Sequence, residues 1–295
     1  MADLALAVDI GGTKMAAGLV ALDGTLLHRT MQPTPPSAGP DDAEALWDAL
    51  AGVVGGATAL VGPGDRLVVC GTGCGGPMSP GGDEVSPLNI LGWRSFPLRS
   101  RLAALTGLPT YVDNDAKALA LGEGWVGAAV GHNDYIAMVV STGVGGGLVV
   151  DGRLLDGRLG NAGHVGHIVV VPDGRACVCG SRGCLEAEAS GTALAALTGQ
   201  PARLASAEWI ARTGTLVGRA IAAVAVLLDL SLAVVSGSVA LGFGAPFFAA
   251  AQAEMDALCR IAFARGARVV PGGLGDAGPL IGAARLGLRG AGVAA

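Results

Sequence analysis

Residues 8–27, VDIGGTKMAAGLVALDGTLL, and residues 139–155, VVSTGVGGGLVVDGRLL, share one pattern. Each is an apolar run, a glycine-rich turn holding a threonine, a second apolar run, then Asp-Gly and two more apolar residues. Apolar runs separated by such turns read as strands joined in hairpins. The same design met twice suggests two domains, each opening on a hairpin of one kind; two unrelated hairpins with similar turn chemistry would look the same. Glycine-rich turns can aim backbone N–H groups into one concavity, and the missing Cβ lets a phosphate come close. Two such turns facing each other across a cleft would grip a polyphosphate from both sides, with Thr13 and Thr142 adding hydroxyl donors. The pair points to a nucleoside triphosphate. Neither turn is a G-x-x-x-x-G-K-[ST] loop, and neither has the strand–helix setting of a dinucleotide fold.

The rest of the chain extends this α/β pattern. Residues 41–58 carry a helical repeat with Leu46, Trp47 and Leu50 on one face. RLVVCGTG (66–73) reads as a buried strand, and LPTYVDND (108–115) as a strand running into the helix AKALALGEGW (116–125). At 295 residues, 51% hydrophobic and 15% charged, there is room for two ordinary domains and a large core. The formal net charge is −5, and no basic run offers a grip on a nucleic-acid backbone. The N-terminus enters a strand-like run without a positive n-region or a small-residue cleavage site. The longest apolar stretch, AIAAVAVLLDLSLAVVSGS (220–238), is broken by Asp229 and by serines. It reads as a buried helix followed by a strand, since a membrane span needs about 20 apolar residues. Six cysteines in a chain of this size are not a secreted disulfide framework. A cytoplasmic protein with neither nucleic acid nor membrane as partner is expected.

Asn114 and Asp115 stand where a strand gives way to a helix. A carboxylate at a helix N-terminus is stabilised as the anion and can accept a proton near neutral pH. Phosphoryl transfer to an alcohol needs such a base beside the hydroxyl and charge stabilisation at the phosphate. Asp115 suits the first task; it would equally serve as a helix cap. GHVGHIVVVPDGRACVCGSRGCLE (163–186) holds two of the four histidines and three of the six cysteines. Cys177, Cys179 and Cys184 form C-x-C-x4-C, with His167 upstream, and three thiolates with one imidazole match a closed tetrahedral structural Zn²⁺ site. A redox pair would favour C-x-x-C, which is absent. Reduced, buried thiols are the alternative. Cys70, Cys74 and Cys259 stand alone.

Taken together, DIGGTK at 9–14, NDA at 114–116, STGVGGG at 141–147 and GHVGH…CVCGSRGCLEAEASG at 163–191 resemble the ROK family, whose name joins repressors, open reading frames and sugar kinases. The motifs follow the family's order and cover most of the chain. The resemblance implies an α/β, actin-like (ribonuclease H-like) ATPase fold of two α/β domains with a sugar and ATP cleft between them. The expected division is a smaller N-terminal domain over 1–113, completed by a C-terminal helix near 279–295, and a larger domain over 114–278 with the zinc motif. The implied activity is an ATP-dependent hexose or aminohexose 6-kinase with Mg²⁺ and a structural Zn²⁺, and a homodimer or homotetramer is expected. Asp9, Gly11, Gly12, Thr13 and Lys14 would line the first phosphate turn, with Asp9 near Mg²⁺. Thr142 and Gly143 would hold phosphates from the other side. Asn114 and Asp115 would bind sugar hydroxyls, Asp115 taking the proton of the 6-hydroxyl. Glu186 and His167 would bind the anomeric end, His167 with its other ring nitrogen on zinc, and Asn89 of NILGW (89–93) would contribute beside the sugar. Gly237, in VVSGSVALG (234–242), would mark the adenosine side, where the family more often has Gly-Gly and this chain has Ser236.

Two positions depart from the common pattern. Glucose-specific members usually carry GEIGH; this chain has GHVGH, with His164 in place of the glutamate. A neutral imidazole offers one donor and one acceptor where a carboxylate only accepts, so recognition near C1 and C2 should change. Bacterial N-acetylmannosamine kinases resemble this chain at His164, and their GGSVG turn resembles SGSVA. N-acetylmannosamine is the substrate expected, with glucose or another amino sugar such as kanosamine as the alternative. Cys74 is the second departure, in a loop where proline or alanine is usual. Repressor members place a winged-helix domain before DIGGT, which here begins at residue 9. A sugar-sensing regulator without a DNA-binding domain is the remote alternative.

Overall fold

Both glycine-rich hairpins form, and each lies at the centre of a five-stranded sheet. The computed structural model describes residues 2–294. In it β1 (Asp3–Ile10), β2 (Lys14–Ala21) and β3 (Leu26–Pro33) make an antiparallel meander, and β4 (Arg66–Cys74) and β5 (Thr110–Asn114) add in parallel on the far side of β1. The sheet order is β3-β2-β1-β4-β5. The second sheet repeats this plan with β6 (Tyr135–Val140), β7 (Val144–Val150), β8 (Arg153–Leu154), β9 (Leu232–Ser236) and β10 (Arg268–Pro271), in the order β8-β7-β6-β9-β10. The repeat read from the two hairpins therefore extends to whole sheets, including the parallel additions.

The strands are linked and covered by helices α1 (Ala43–Thr58), α2 (Leu98–Thr106), α3 (Asp115–Val126), α4 (Leu185–Ala189), α5 (Gly191–Thr198), α6 (Ala207–Leu228), α7 (Ser238–Phe243), α8 (Ala245–Leu258) and α9 (Gly278–Gly290). Strand β1 shows how the first sheet is covered on both faces. Leu4, Leu6, Val8 and Ile10 point to one core with Leu46 and Leu50 of α1, while Ala5 and Ala7 point to another with Leu280, Ala283 and Leu288 of α9. This is the period-2 alternation of a strand with helices on each side. The α9 face uses small residues because the helix comes close: a side chain at Gly71 would run into the backbone of Ala283 and Gly287.

The chain divides into two units. Unit 1 comprises residues up to Val126, Asp156–Ala162, and Asp276 onward; unit 2 comprises Gly127–Leu155 and Gly163–Gly275. The units are of near-equal length, and the first boundary falls after Val126 rather than between residues 113 and 114. The reason is that α3 packs along α9: a side chain at Gly282 would lie 2.6 Å from the carbonyl carbon of Ala118. The short return of residues 156–162 to unit 1 had no counterpart in the sequence reading.

The apolar stretch near residue 220 forms the end of α6 and then β9, a helix followed by a strand. By length and composition α6 could cross a membrane, but 56% of its most apolar window is buried inside the protein. Asp229 in the left-handed conformation (φ 54°) ends it. Gly214 and Gly218, one turn apart, let α8 approach: a side chain at Gly218 would come within 2.9 Å of the Ala251 backbone.

Two glycines should therefore respond in opposite ways. Gly218→Leu forces the α6–α8 contact apart and should lower stability by about 1–3 kcal/mol. Gly52 lies within α1 with no neighbouring atom where a Cβ would stand. Gly52→Ala should raise stability by roughly 0.5–1 kcal/mol. Urea unfolding of both variants checks the pair; a tolerated Gly218→Leu would contradict the packing.

Candidate functional site

In unit 1 three parallel strands end side by side. Ile10 pairs with Cys74 and Cys74 with Asn114 across β1, β4 and β5, so Asp9, Cys74 and Asn114–Asp115 share the carboxyl edge of one sheet. Ligands of open α/β sheets collect at that edge. Asp9 is 8% exposed, and its carboxyl is pushed up to about 7, first by burial and then by the Asp115 carboxylate, with the Lys14 ammonium pulling the other way. Cys74 is fully buried, and burial followed by Asp115 and Asp9 raises its thiol well above the usual range. It is a neutral thiol at neutral pH.

The first glycine turn is closed by the Gly11 N–H donating to Lys14 O at 3.0 Å. Thr34 holds it from the end of β3: its hydroxyl donates to Gly11 O at 2.7 Å and its N–H to Thr13 O at 3.1 Å. Thr13 and Lys14 are exposed. Asn89 lies against this turn, since a Cβ at Gly12 would stand 2.9 Å from its Nδ2 and one at Gly75 3.3 Å from its Oδ1. Arg94 clamps the Asn89 loop, one guanidinium nitrogen donating to the carbonyls of Pro87 and Ile90 at 3.0 Å and Trp93 at 2.5 Å. At the start of α3 the cap is Asn114, whose Oδ1 accepts from the N–H groups of Ala116 (3.0 Å) and Lys117 (3.4 Å). Asp115 Oδ1 accepts from Ala116 N at 2.9 Å. Gly73 makes room for it, a Cβ there lying 3.2 Å from Asp115 Cα.

In unit 2 the second turn is closed by Ser141 N–H donating to Gly143 O at 2.9 Å. Glu186, on α4, reaches over it: Oε2 accepts from Val144 N at 2.9 Å and would stand 2.7 Å from a Cβ at position 143, so a side chain there would displace the carboxylate. Thr192 donates to Thr142 O at 2.9 Å, and the Ser141 and Ser238 hydroxyls lie 2.9 Å apart. Gly237, at φ 100°, packs on Val140 at the end of β6, where a Cβ would be 2.8 Å from Val140 N. Thr142, Gly143, Glu186 and Gly237 are thus gathered around the end of one central strand.

His167, Cys177, Cys179 and Cys184 also come together, with ligand atoms all within 4.8 Å of one another. Zn–S bonds of about 2.3 Å and Zn–N bonds of about 2.0–2.1 Å at tetrahedral angles require S···S edges of about 3.8 Å and N···S edges of about 3.6 Å. Cys179 Sγ and Cys184 Sγ are 3.7 Å apart, and Cys177 Sγ lies 3.6 Å from His167 Nδ1. The four residues fit a zinc ion. The His164 and His167 rings stack with centroids 6.1 Å apart. Glu188, 2% exposed, braces the knuckle formed by residues 167–184: it accepts from Arg175 N at 2.7 Å and from Arg212 Nη2 at 2.6 Å. Sequence reasoning missed Thr34, Arg94 and the Glu188–Arg212 pair. The only signal for them was a polar residue beside a motif.

Two α/β units with the same sheet topology, each with a glycine-rich hairpin turn at its centre, make up the actin-like, ribonuclease H-like ATPase fold. The profile of the ROK family matches residues 5–289, and the chain belongs to that family. It is 41% identical over 191 residues to a glucokinase of Streptomyces coelicolor, covering 65% of this chain and 57% of that protein. It is 40% identical over 260 residues to an N-acetylmannosamine kinase of Escherichia coli, covering 81% of this chain and 84% of the relative. The crystal structure of a ROK family glucokinase from Streptomyces griseus with glucose and AMPPNP superposes with a TM-score of 0.84 at 33% identity, covering 97% of this chain and 99% of that one.

The raised Asp9 carboxyl has a consequence for stability. Its folded value, about 7, lies above the ordinary 3.8. The fold therefore holds this proton more tightly than the unfolded chain does, and the stability it contributes is lost as pH rises across that window. Asp9→Asn removes the loss, so the variant should be more stable than wild type at about pH 8, with the difference shrinking toward about pH 4. Urea midpoints at the two pH values, without nucleotide or added magnesium, check this; a difference independent of pH would contradict it.

Proposed function

We propose that this chain is an ATP-dependent sugar kinase that phosphorylates the 6-hydroxyl of a hexose or N-acylaminohexose in the cytoplasm, with N-acetylmannosamine as the substrate expected. The observation that carries the reading is the placement of Asp115 beside buried Asp9, at the sheet edge that also bears the first glycine turn. Both named relatives are sugar kinases, one of each expected specificity.

In this reading Asn114 and Asp115 hold sugar hydroxyls, and Asp115 takes the proton as the 6-oxygen attacks the γ-phosphorus. The bond from that phosphorus to the β–γ bridging oxygen breaks, and ADP leaves. The N–H groups of Gly12 and Thr13 in one turn, and of Thr142 and Gly143 in the other, donate to phosphate oxygens, with Lys14 adding charge and Gly11, whose own N–H closes the first turn on Lys14 O, shaping the cradle. Asp9 would hold the Mg²⁺ that accompanies ATP, a cation that would also relieve two adjacent carboxylates. Gly237 lies on the adenosine side. Asn89, His164, His167 and Glu186 orient the sugar. Zinc, held by four protein ligands, has no open position for chemistry and serves to fix the His167 ring and the knuckle before α4.

Asp115→Asn should lower kcat by about 10²–10⁴ while calorimetric sugar binding is largely kept. A variant near wild type in kcat rejects Asp115 as the base. Protein purified without added zinc should carry one Zn²⁺ per chain by elemental analysis, and Cys179→Ser should lose both the metal and thermal stability. A metal-free, active wild type rejects the zinc site.

His164 is the ground for preferring the acylamino sugar, and glucose remains the second reading because of the glucokinase relative. His164→Glu should shift the ratio of kcat/KM for glucose against N-acetylmannosamine toward glucose by about ten-fold or more, the effect of one buried group left unpaired. An unmoved ratio removes His164 from substrate selection.

A further inference from the structure

Lys117 is 1% exposed and stands in the first turn of α3, two positions after Asp115. A cation is disfavoured there twice, by desolvation and by the positive end of the helix dipole. The structure offsets both costs by using every donor the ammonium has. Nζ lies 2.8 Å from Asp113 Oδ2, 2.9 Å from Asp156 Oδ1 and 3.2 Å from the carbonyl of Gly160.

Two of those three acceptors belong to residues 156–162, the stretch by which the chain leaves unit 2 and lies against unit 1. This loop is closed on itself by Ala162 N–H donating to Asp156 O at 2.9 Å. Asn161 stitches it a second time, accepting from Met78 N at 3.3 Å and donating to Met78 O at 3.1 Å. The next residue, Gly163, sits at φ 96° against the backbone of Gly146, and His164 follows.

We propose that Lys117 is a positioning residue: its buried ammonium latches loop 156–162 onto the helix that carries Asp115, fixes the lead-in to His164, and so sets affinity for the sugar. The inference deepens the kinase reading and rests on it for the identity of the ligand. Lys117 does not touch the reacting atoms. Asp156 is the accessible half of the device, its side chain 70% exposed, so it can be changed without disturbing the core.

The test compares wild type, Asp156→Ala and Lys117→Met. Hydrogen exchange of the peptide covering residues 156–162 reports the latch, and calorimetric Kd values for N-acetylmannosamine, glucose and Mg-ATP report its effect. Asp156→Ala should speed exchange in that peptide and weaken binding of the preferred sugar about ten-fold, the scale of a modest misplacement, with the Mg-ATP Kd unchanged. Asp156→Glu should restore most of the affinity. Lys117→Met should act in the same direction, and the double variant should be little worse than either single one, as expected of two partners in one contact. Unchanged exchange in Asp156→Ala overturns the latch. Faster exchange with unchanged sugar affinity, or equal losses for sugar and Mg-ATP, overturns its positioning role. The kinase reading falls separately, on an absence of ADP formation by wild type with any sugar, a measurement that none of these comparisons uses.

Discussion

Asp9 is held almost out of water within electrostatic reach of a second carboxylate, and much of unit 1 is arranged around that contact. Asp9 is the penultimate residue of the central strand of its sheet. Parallel pairing through β4 to β5 carries Asn114 and Asp115 to the same edge. Gly73 allows the start of α3 to close on that edge, and Asn114 caps the helix. Burial first, and the neighbouring Asp115 carboxylate second, favour the protonated form of Asp9. A divalent cation arriving with a nucleotide would reverse that preference, which ties the proposed chemistry to a feature the free protein already bears as a cost.

The two units solve the same folding problem with different decorations. Both place an antiparallel hairpin beside parallel strands, and both leave a glycine turn at the end of the central hairpin. In unit 1 the turn is braced by Thr34 and lies next to the carboxylates. In unit 2 it is braced by Thr192 and Ser238, and Glu186 sits on its backbone. The Glu186 carboxylate accepts from Val144 N–H, and Glu186 stands two residues after Cys184, the residue that precedes α4, so the thiol loop and the turn are joined through the start of that helix. Close packing elsewhere depends on missing side chains: Gly71 under α9 and Gly214 and Gly218 under α8.

What was legible in the sequence was local. Hairpins show because Asp-Gly and glycine-rich turns sit between alternating apolar runs, and the Cys/His cluster of His167, Cys177, Cys179 and Cys184 shows because its spacing is chemical. The α6–β9 transition was marked by Asp229, which the structure uses in its left-handed conformation. The unit boundary was not legible, because the contact that assigns α3 to unit 1 joins Ala118 to Gly282, far apart in the chain. Loop 156–162 was missed for the same reason: its partners, Lys117 and Met78, lie in distant elements, and a single lysine in an apolar helix carries no period. At residue 115 the sequence left cap and base open; Asn114 takes the capping bonds to Ala116 and Lys117.

The central claim is tested most directly by the position of the phosphate in the product. Incubation with Mg-ATP and, separately, glucose, mannose, N-acetylmannosamine, N-acetylglucosamine and kanosamine, followed by phosphorus–proton correlation NMR, reads both turnover and site. The account predicts ADP formation matched by a sugar whose phosphorus couples to the two protons on carbon 6. Phosphate on any other carbon, or no phosphorylated sugar from the whole set, would contradict it.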